Sequence, residues 1–259
     1  MYAIVTTGLT HALSRNSVVA VDVTDPTNPR EVAAIPTQAA CTEGVIVLPG
    51  ADAALIGSYC STTVQMVSLS ELGNGKLRAT GTRTEAYYEN MVSGVYNQSY
   101  AFPPTAPAEA SAGAGAGAAD LLFSATYTDP GGIVIFNASS TADGEVVPTE
   151  ISRYISNSTA RANRVHLHPS GIAFLALEKS HGGDARGGLA AINVTDPRAP
   201  TLIEALKTPS NDSRTYCLAS ATEDTSQRGA PGEKRGVVYA FGATACSMWV
   251  YTFPLGPEA

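Results

Sequence analysis

One turn-forming passage occurs twice in this chain and limits the folds that the sequence can adopt. The first copy, residues 18–35, reads VVAVDVTDPTNPREVAAI, and the second copy, residues 189–206, reads LAAINVTDPRAPTLIEAL. Each begins with small and β-branched residues, which favour a β-strand. The Asp-Pro pair then ends the strand, because proline fixes φ and lacks a backbone donor while aspartate bonds to the turn backbone. A recurring strand–turn–strand passage indicates a repeat architecture.

When the chain is aligned on this passage, it divides into five units. Each unit pairs an apolar strand with a strand in which apolar and polar residues alternate. The alternating strand ends at an equivalent anchor position in each unit: Asp22, Ser68, Asn137, Asn193 and Tyr251. Successive anchors lie 46 to 69 residues apart, near the roughly 40–50-residue period of four-stranded propeller blades with loop insertions. The sequence therefore predicts an all-β fold, a single β-propeller domain over residues 1–259 with about five four-stranded antiparallel blades.

Further strand signals precede and follow each hairpin, except that the first unit lacks a first strand and the last unit lacks a fourth. Five units could close as a ring, or they could be a fragment of a six- to seven-bladed ring. Insertions fall between strands, at residues 180–188 and 222–236 and in the Ala/Gly/Pro-rich stretch 101–119. That stretch has few side chains that could build a core, so we expect a low-complexity loop.

The passages VVAVDVTDPTNP and AAINVTDPRAP resemble the LVIVD repeat, an apolar strand that ends in Asp and is followed by an Asp-Pro turn. The second, third and fifth units keep the strand and depart from the turn. The resemblance implies a β-propeller that is extracellular or attached to a cell surface, and it implies no catalytic residue.

Composition and charge exclude several partners. Charged residues make up 15% of the chain and the formal net charge is −7, so we expect no nucleic-acid partner and no binding to anionic membranes. No run approaches the roughly 18–20 apolar residues of a transmembrane helix, so we expect no membrane span.

Glycosylation sequons indicate a secreted or cell-surface protein. Five occur, at Asn97, Asn137, Asn157, Asn193 and Asn211; chance occurrence in a Ser/Thr-rich chain is the alternative. Met1 stands at the head of an apolar strand without a charged region or a cleavage site. We therefore expect that the chain lacks its true N-terminus, with a cytosolic chain as the other interpretation.

The four cysteines allow three pairings. Cys41 and Cys60 flank the first two strands of the second unit, and Cys217 and Cys246 hold near-equivalent places in the fifth. This placement predicts the disulfides Cys41–Cys60 and Cys217–Cys246 within single blades, while four free buried thiols are the alternative.

Candidate binding residues follow from the fold by analogy, since propellers bind ligands on the loop face at the channel mouth. They are Glu43, Tyr88, Asn90, Asn163, Arg164, His181 and Arg214. An ordinary solvated loop face is the alternative.

His166 and His168 are two residues apart on a predicted strand, so both imidazoles face the same side. That spacing suits two ligands of one zinc or copper ion. Ile46 and Leu48 occupy the matching positions of the second unit, which favours packing instead. We therefore expect no cofactor, with zinc or copper as the alternative.

Two classes of function fit the sequence. The first is a non-enzymatic propeller that binds a protein or glycan partner through its loops. The second is a propeller enzyme, either a metal-dependent lactonase-like hydrolase or an oxidoreductase, with its site at the channel mouth. No G-x-S-x-G elbow or phosphate-binding loop occurs, so no catalytic residue is predicted. A repeat module within a longer surface protein is a third interpretation.

Overall fold

The computed structural model describes fifteen segments of the chain. They are residues 1–7, 16–37, 42–48, 52–58, 63–84, 95–96, 120–126, 130–140, 146–159, 161–168, 170–178, 187–207, 215–224, 234–242 and 248–254.

The described residues form five antiparallel sheets, in agreement with the predicted all-β class. The first sheet contains β1 (Tyr2–Thr7), β2 (Ser17–Asp22) and β3 (Arg30–Pro36). The second contains β4 (Thr42–Leu48), β5 (Ala53–Ser58), β6 (Thr63–Ser68) and β7 (Arg78–Thr84). Short 3-10 turns occur at Leu72–Asn74 and Asn157–Thr159.

The other three sheets follow in chain order. The third contains β8 (Val95–Tyr96), β9 (Asp120–Thr126), β10 (Gly131–Ser140) and β11 (Val146–Ser156). The fourth contains β12 (Arg161–His168), β13 (Ile172–Glu178), β14 (Gly188–Asn193) and β15 (Thr201–Lys207). The fifth contains β16 (Thr215–Asp224), β17 (Lys234–Gly242) and β18 (Met248–Pro254).

The same irregularity recurs where the third and fourth strands of a repeat unit pair; in the first unit, which lacks a first strand, these are β2 and β3. The register shifts between Ala20 and Val21, between Met66 and Val67, and between Ala191 and Ile192. Each shift lies one or two residues before the anchor position, and each leaves one extra residue on the fourth strand. A bulge that keeps its place in three sheets supports the reading of the chain as a repeat.

The two Asp-Pro turns are built in the same way. The Oδ1 atom of Asp22 accepts the N–H of Thr24 at 2.9 Å, and that of Asn193 accepts the N–H of Thr195 at 3.0 Å. Within each turn, the aspartate before proline also accepts an N–H from two residues ahead, at 3.0 Å for Asp25 and 2.9 Å for Asp196. The polar residue that ends the strand therefore fixes the start of the turn.

Removing one of these caps has a measurable cost. Asn193 accepts a second hydrogen bond, at 2.7 Å, from Oγ1 of Thr195. We expect Asn193→Ala to lower the free energy of unfolding by about 1 kcal/mol, because both bonds are lost. Asn193→Asp keeps the acceptor and should remain within about 0.3 kcal/mol of the wild type. Urea denaturation of both variants makes the comparison, and equal losses would show that the hydrogen bonds accepted by residue 193 do not cause the loss.

The chain divides into two compact units, Met1–Tyr127 with Ile135–Ile151, and Thr128–Val134 with Ser152–Ala259. One apolar cluster of the first unit consists of Val18, Ala54, Ile56 and Val67, all fully buried. One cluster of the second unit consists of Phe174, Ala176, Leu189, Val238 and Ala240. In the second unit, therefore, the middle strands of the fourth and fifth sheets bury apolar faces together.

One loop is shorter than the sequence predicts. Residues 222–236 were expected to form a loop, but β16 continues to Asp224 and β17 begins at Lys234. The register places Glu223 opposite Arg235 and Asp224 opposite Lys234. The predicted loop at 101–119 lies outside the described residues, as do residues 180–186 of the predicted loop 180–188, whose last residue, Gly188, begins β14.

Candidate functional site

A bulge occurs near the start of the first strand in three sheets. It leaves Glu43 unpaired between Thr42 and Gly44 in β4, and Asn163 unpaired between Ala162 and Arg164 in β12. The equivalent residue of β16 is Tyr216. Bulges are enriched beside functional sites because they change the direction of the neighbouring side chains. Glu43 and Asn163 align in the sequence, and in the structure both occupy this bulge position.

The bulge in β12 places two arginines on one face of the strand. Arg161 lies opposite Glu178, and Arg164 lies opposite Ala176. Glu178 and Ala176 are two residues apart on β13, so they share a face, and their directly opposed partners share it too. In a regular strand, the spacing of three residues would place Arg161 and Arg164 on opposite faces.

Two histidines continue this polar face. His166 lies opposite Phe174 and His168 opposite Ile172, so both share the face with the arginines. Arg161, Arg164 and His166 are half-buried, whereas Glu178 is only 1% exposed. We call Arg161, Arg164, His166, His168 and Glu178 the β12 polar face. It combines two guanidinium groups, two imidazoles and one carboxylate on a single strand-pair face.

His168 has a structural role at one end of the β12 polar face. Its Nδ1 atom accepts the backbone N–H of Ser170 at 3.2 Å and lies 2.8 Å from the Ser170 hydroxyl oxygen. The ring also contacts the Phe253 ring in an edge-on arrangement, with 5.2 Å between centroids. Since Nδ1 is engaged, a metal ion could reach this ring only through Nε2.

His166 is the member of the β12 polar face with a perturbed pKa. Burial lowers the pKa of His166, because desolvation disfavours the imidazolium, and the nearby His168 lowers it further. The imidazole of His166 is therefore neutral at pH 7, with one ring nitrogen that donates a hydrogen bond and one that accepts.

The depressed pKa predicts a pH-dependent stability. Below about pH 6.5, the ordinary histidine value, the unfolded chain binds a proton that the folded chain binds only at lower pH. Above that pH, His166 therefore does not lower the free energy of unfolding. Below it, the free energy of unfolding falls as the solution becomes more acidic. We expect His166→Gln to reduce the loss of melting temperature between pH 7.5 and pH 5.5. An unchanged pH profile for this variant would contradict the assignment.

A buried hydroxyl lies on a strand that contacts β12. Thr215 opens β16, and β16 packs against β12 and β13. The side chain is fully buried, and its Oγ1 has no hydrogen-bond partner among the described residues. Neither Thr215 nor Glu178 was predicted as a site residue. In the sequence, Glu178 could have been found as the charged residue that ends the apolar run IAFLALE.

An apolar cavity of about 170 Å³ lies beside the β12 polar face in the second unit. β13, β14, β15 and β18 line it with Ile172, Phe174, Leu189, Ala191, Ile203, Glu204, Leu206, Tyr251, Thr252 and Phe253. The hydroxyl of Tyr251 is buried, has no hydrogen-bond partner in the described part of the chain, and has its pKa raised by that burial.

The predicted binding residues fall in several places. The prediction that Glu43, Asn163 and Arg164 lie in loops is wrong. They lie within β4 and β12, because strand pairing continues through the bulge. Tyr88, Asn90, His181 and Arg214 lie outside the described residues. The structure thus brings Arg164 together with the predicted metal ligands His166 and His168 on one strand face.

The structure describes only some of the residues of the predicted disulfides and glycosylation sites. Cys41, Cys60 and Cys246 lie outside the described residues, while Cys217 belongs to β16. Asn97 and Asn211 are also outside the described residues. Asn157 is exposed in a 3-10 turn, Asn193 caps a turn, and Asn137 is a half-buried residue of β10. The disulfides and the glycans stay predictions.

The described residues lack two features. No group of three or more His, Cys, Asp and Glu residues in this part of the chain is arranged to hold a metal ion. Within the same residues, no helix has the length and apolar character needed to cross a bilayer. Zinc or copper binding at His166 and His168 stays the untested alternative to the expectation of no cofactor.

Comparison with known proteins identifies the type of fold. No family model and no curated protein sequence matches the chain. The periplasmic gluconolactonase of Pseudomonas aeruginosa is similar in structure, with a TM-score of 0.55, 12% identity, and coverage of 100% of this chain and 69% of that one. A putative 6-phosphogluconolactonase from Bacteroides fragilis gives a TM-score of 0.54, 11% identity, and coverage of 98% and 67%.

A third solved structure, of a protein from Lactobacillus plantarum, gives a TM-score of 0.54 and 14% identity. The match covers 91% of this chain but only 63% of that protein, so the chain spans less than two thirds of it. These neighbours are β-propeller proteins, and the likeness supports a β-propeller type of fold for this chain. At such low identity, the likeness concerns the fold alone.

Proposed function

We propose that this chain is a non-enzymatic, secreted or cell-surface β-propeller repeat protein that binds a protein or glycan partner. The β12 polar face is the part of the molecule that supports this proposal most directly. Arg161 and Arg164 share a face with His166 because of the bulge at Asn163, and all three remain partly accessible. The partner contacts this face with carboxylate groups, from acidic sugars or from Asp and Glu side chains.

The choice of an anionic partner follows from the charges. Guanidinium groups bind carboxylates through two parallel hydrogen bonds, which gives both affinity and orientation. The neutral imidazole of His166 adds one hydrogen bond to a neighbouring hydroxyl or carboxylate oxygen. The strand–turn passages that resemble the LVIVD repeat also support a surface-exposed binding protein.

A binding experiment with charge-matched variants tests the proposal. An array of carboxylated glycans and acidic peptides identifies ligands, and calorimetry measures their affinity. We expect Arg164→Gln to weaken binding by about tenfold or more, since a charge-assisted bond contributes about 1.5–3 kcal/mol. Arg78→Gln removes the same charge from the exposed end of β7 and should leave the affinity unchanged. Equal losses in both variants, or binding of neutral and acidic ligands alike, would contradict the proposal.

A lactonase-like hydrolase is the second candidate function. The structural likeness to the periplasmic gluconolactonase and to the putative 6-phosphogluconolactonase favours it. The arginines of the β12 polar face would suit the anionic character of a phosphorylated sugar lactone. A pH-stat assay with gluconolactone and 6-phosphogluconolactone separates the two candidates. Turnover that falls in Arg164→Gln and His166→Gln would replace the binding role with the hydrolase.

A further inference from the structure

Glu178 is the only buried Asp, Glu, Lys or Arg among the side chains that the structure describes, with 1% exposed. It ends β13, whose other residues are all apolar. Removing a carboxylate from water is costly unless a cation and hydrogen-bond donors accompany it. The residue directly opposite on β12 is Arg161, and directly opposed residues have Cβ atoms about 4.5–5.5 Å apart. The strand register therefore brings a cation to the buried carboxylate.

The two arginines of the β12 polar face have different residues opposite them. Arg161 lies opposite the carboxylate of Glu178, whereas Arg164 lies opposite Ala176, which is small and uncharged. Both guanidinium groups stand on half-buried side chains that solvent can reach. A guanidinium group that donates hydrogen bonds to one carboxylate has fewer donors left for a second anion. The two arginines are therefore not equivalent toward a ligand.

We propose that Glu178 determines the charge of the group that the β12 polar face accepts, favouring a singly charged carboxylate over a doubly charged phosphate. This inference rests on the function proposed above, in which an anionic partner binds at this face. Glu178 does not need to contact the ligand, because it acts through Arg161 as a positioning residue.

The selectivity follows from the charges on the two sides of the contact. Glu178 offsets one of the two guanidinium charges, so a ligand carboxylate is matched by the charge that is left. A phosphate group carries a charge of about −1.5 to −2 at pH 7, and its second charge is brought near the carboxylate of Glu178. Like charges placed together at a binding site act against the wrong partner. The arginines attract anions, and Glu178 selects among them.

Two hexoses that differ in one charged group are the probes. Glucuronate carries a carboxylate where glucose 6-phosphate carries a phosphate ester, and NMR titration of the full chain at pH 7.5 measures both affinities. We expect the wild type to bind glucuronate about tenfold more tightly than glucose 6-phosphate, and Glu178→Gln to abolish or reverse this preference. A ratio of two affinities does not depend on how much of the variant is folded, so destabilisation alone cannot produce this change.

Three further variants define how Glu178 acts. Glu178→Asp keeps the charge and should keep the preference for glucuronate. Glu204→Gln removes the same charge from an exposed position on β15 of the same sheet and should also leave the preference unchanged. The double variant Glu178→Gln with Arg161→Gln removes both opposed charges and should return the ratio of affinities toward the wild-type value.

The possible outcomes separate this inference from the proposed function. Binding of neither sugar would contradict the proposed function, and the inference would fail with it. Three results would contradict the inference alone: a wild type that binds glucose 6-phosphate as tightly as glucuronate, a ratio that Glu178→Gln leaves unchanged, or a double variant that behaves like Glu178→Gln. In each of these cases the face would still bind anions, but Glu178 would not select them through Arg161.

Discussion

Replacing Gly188 by alanine is expected to lower the free energy of unfolding of the second unit by about 3 kcal/mol. Gly188 begins β14, is buried, and lies opposite Lys207 of β15. A Cβ atom there would overlap the backbone carbonyl of Leu206. A backbone oxygen held by strand pairing cannot rotate away as a side chain would, so the two strands must separate locally.

The same contact occurs in the third sheet, which makes it a property of the repeat. Gly132 is near the start of β10, and a Cβ atom there would overlap the carbonyl of Tyr154 in β11. Gly132→Ala should therefore cost about as much as Gly188→Ala.

Gly73 supplies the control for both glycine variants. It lies exposed in a 3-10 turn, and nothing stands within 4 Å of its added Cβ. Gly73→Ala should change stability by less than about 0.5 kcal/mol. Chemical denaturation is followed by far-UV circular dichroism, which reports on both units, because Gly73 lies in the first unit and Gly188 in the second. Similar free energies of unfolding for Gly188→Ala and Gly73→Ala would contradict the close approach of β14 and β15 at Gly188.

Replacing Phe174 by alanine is expected to cost about 4 kcal/mol. Phe174 is 2% exposed and lies in the cluster shared by the fourth and fifth sheets. Its ring packs at a tilt on the Phe253 ring, with 4.9 Å between centroids. The mutation removes buried apolar area and leaves a void that joins the neighbouring cavity.

A graded pair of variants separates packing from other effects. Phe174→Leu keeps part of the apolar volume and should lose about half as much stability as Phe174→Ala. Ile203→Ala at the exposed cavity wall should cost less than about 1 kcal/mol. If Phe174→Ala melts within a degree or two of the wild type, the two sheets do not share a core at this residue.

The strands were predictable because the repeated passage marks them. The runs VVAVD and LAAIN match β2 and β14. The sequence also predicts no first strand in the first unit and no fourth strand in the last, which agrees with the three-stranded first and fifth sheets of the described residues.

The β12 polar face was only partly predictable. His166 and His168 were paired by period two, but Arg161 lies five residues before His166, an odd spacing that period two assigns to the opposite face.

The bulge explains why the rest of the site was hidden. An extra residue in a strand follows from the pairing of two strands, and no residue type marks it, since Glu43, Asn163 and Tyr216 share no chemistry. The cavity depends similarly on distant segments, because β18 and β15 meet there although more than forty residues separate them. The local sequence pattern therefore predicts the strands, whereas the site depends on how the strands pair with one another.

Nuclear Overhauser contacts between the backbones of β12 and β13 test the central claim most directly. The bulge predicts cross-strand contacts that place Arg161 opposite Glu178 and Arg164 opposite Ala176, with Asn163 unpaired. The two arginines then share a face with His166. Contacts that place Asn163 opposite Ala176 would show a regular ladder, with the arginines on opposite faces and no common anion site.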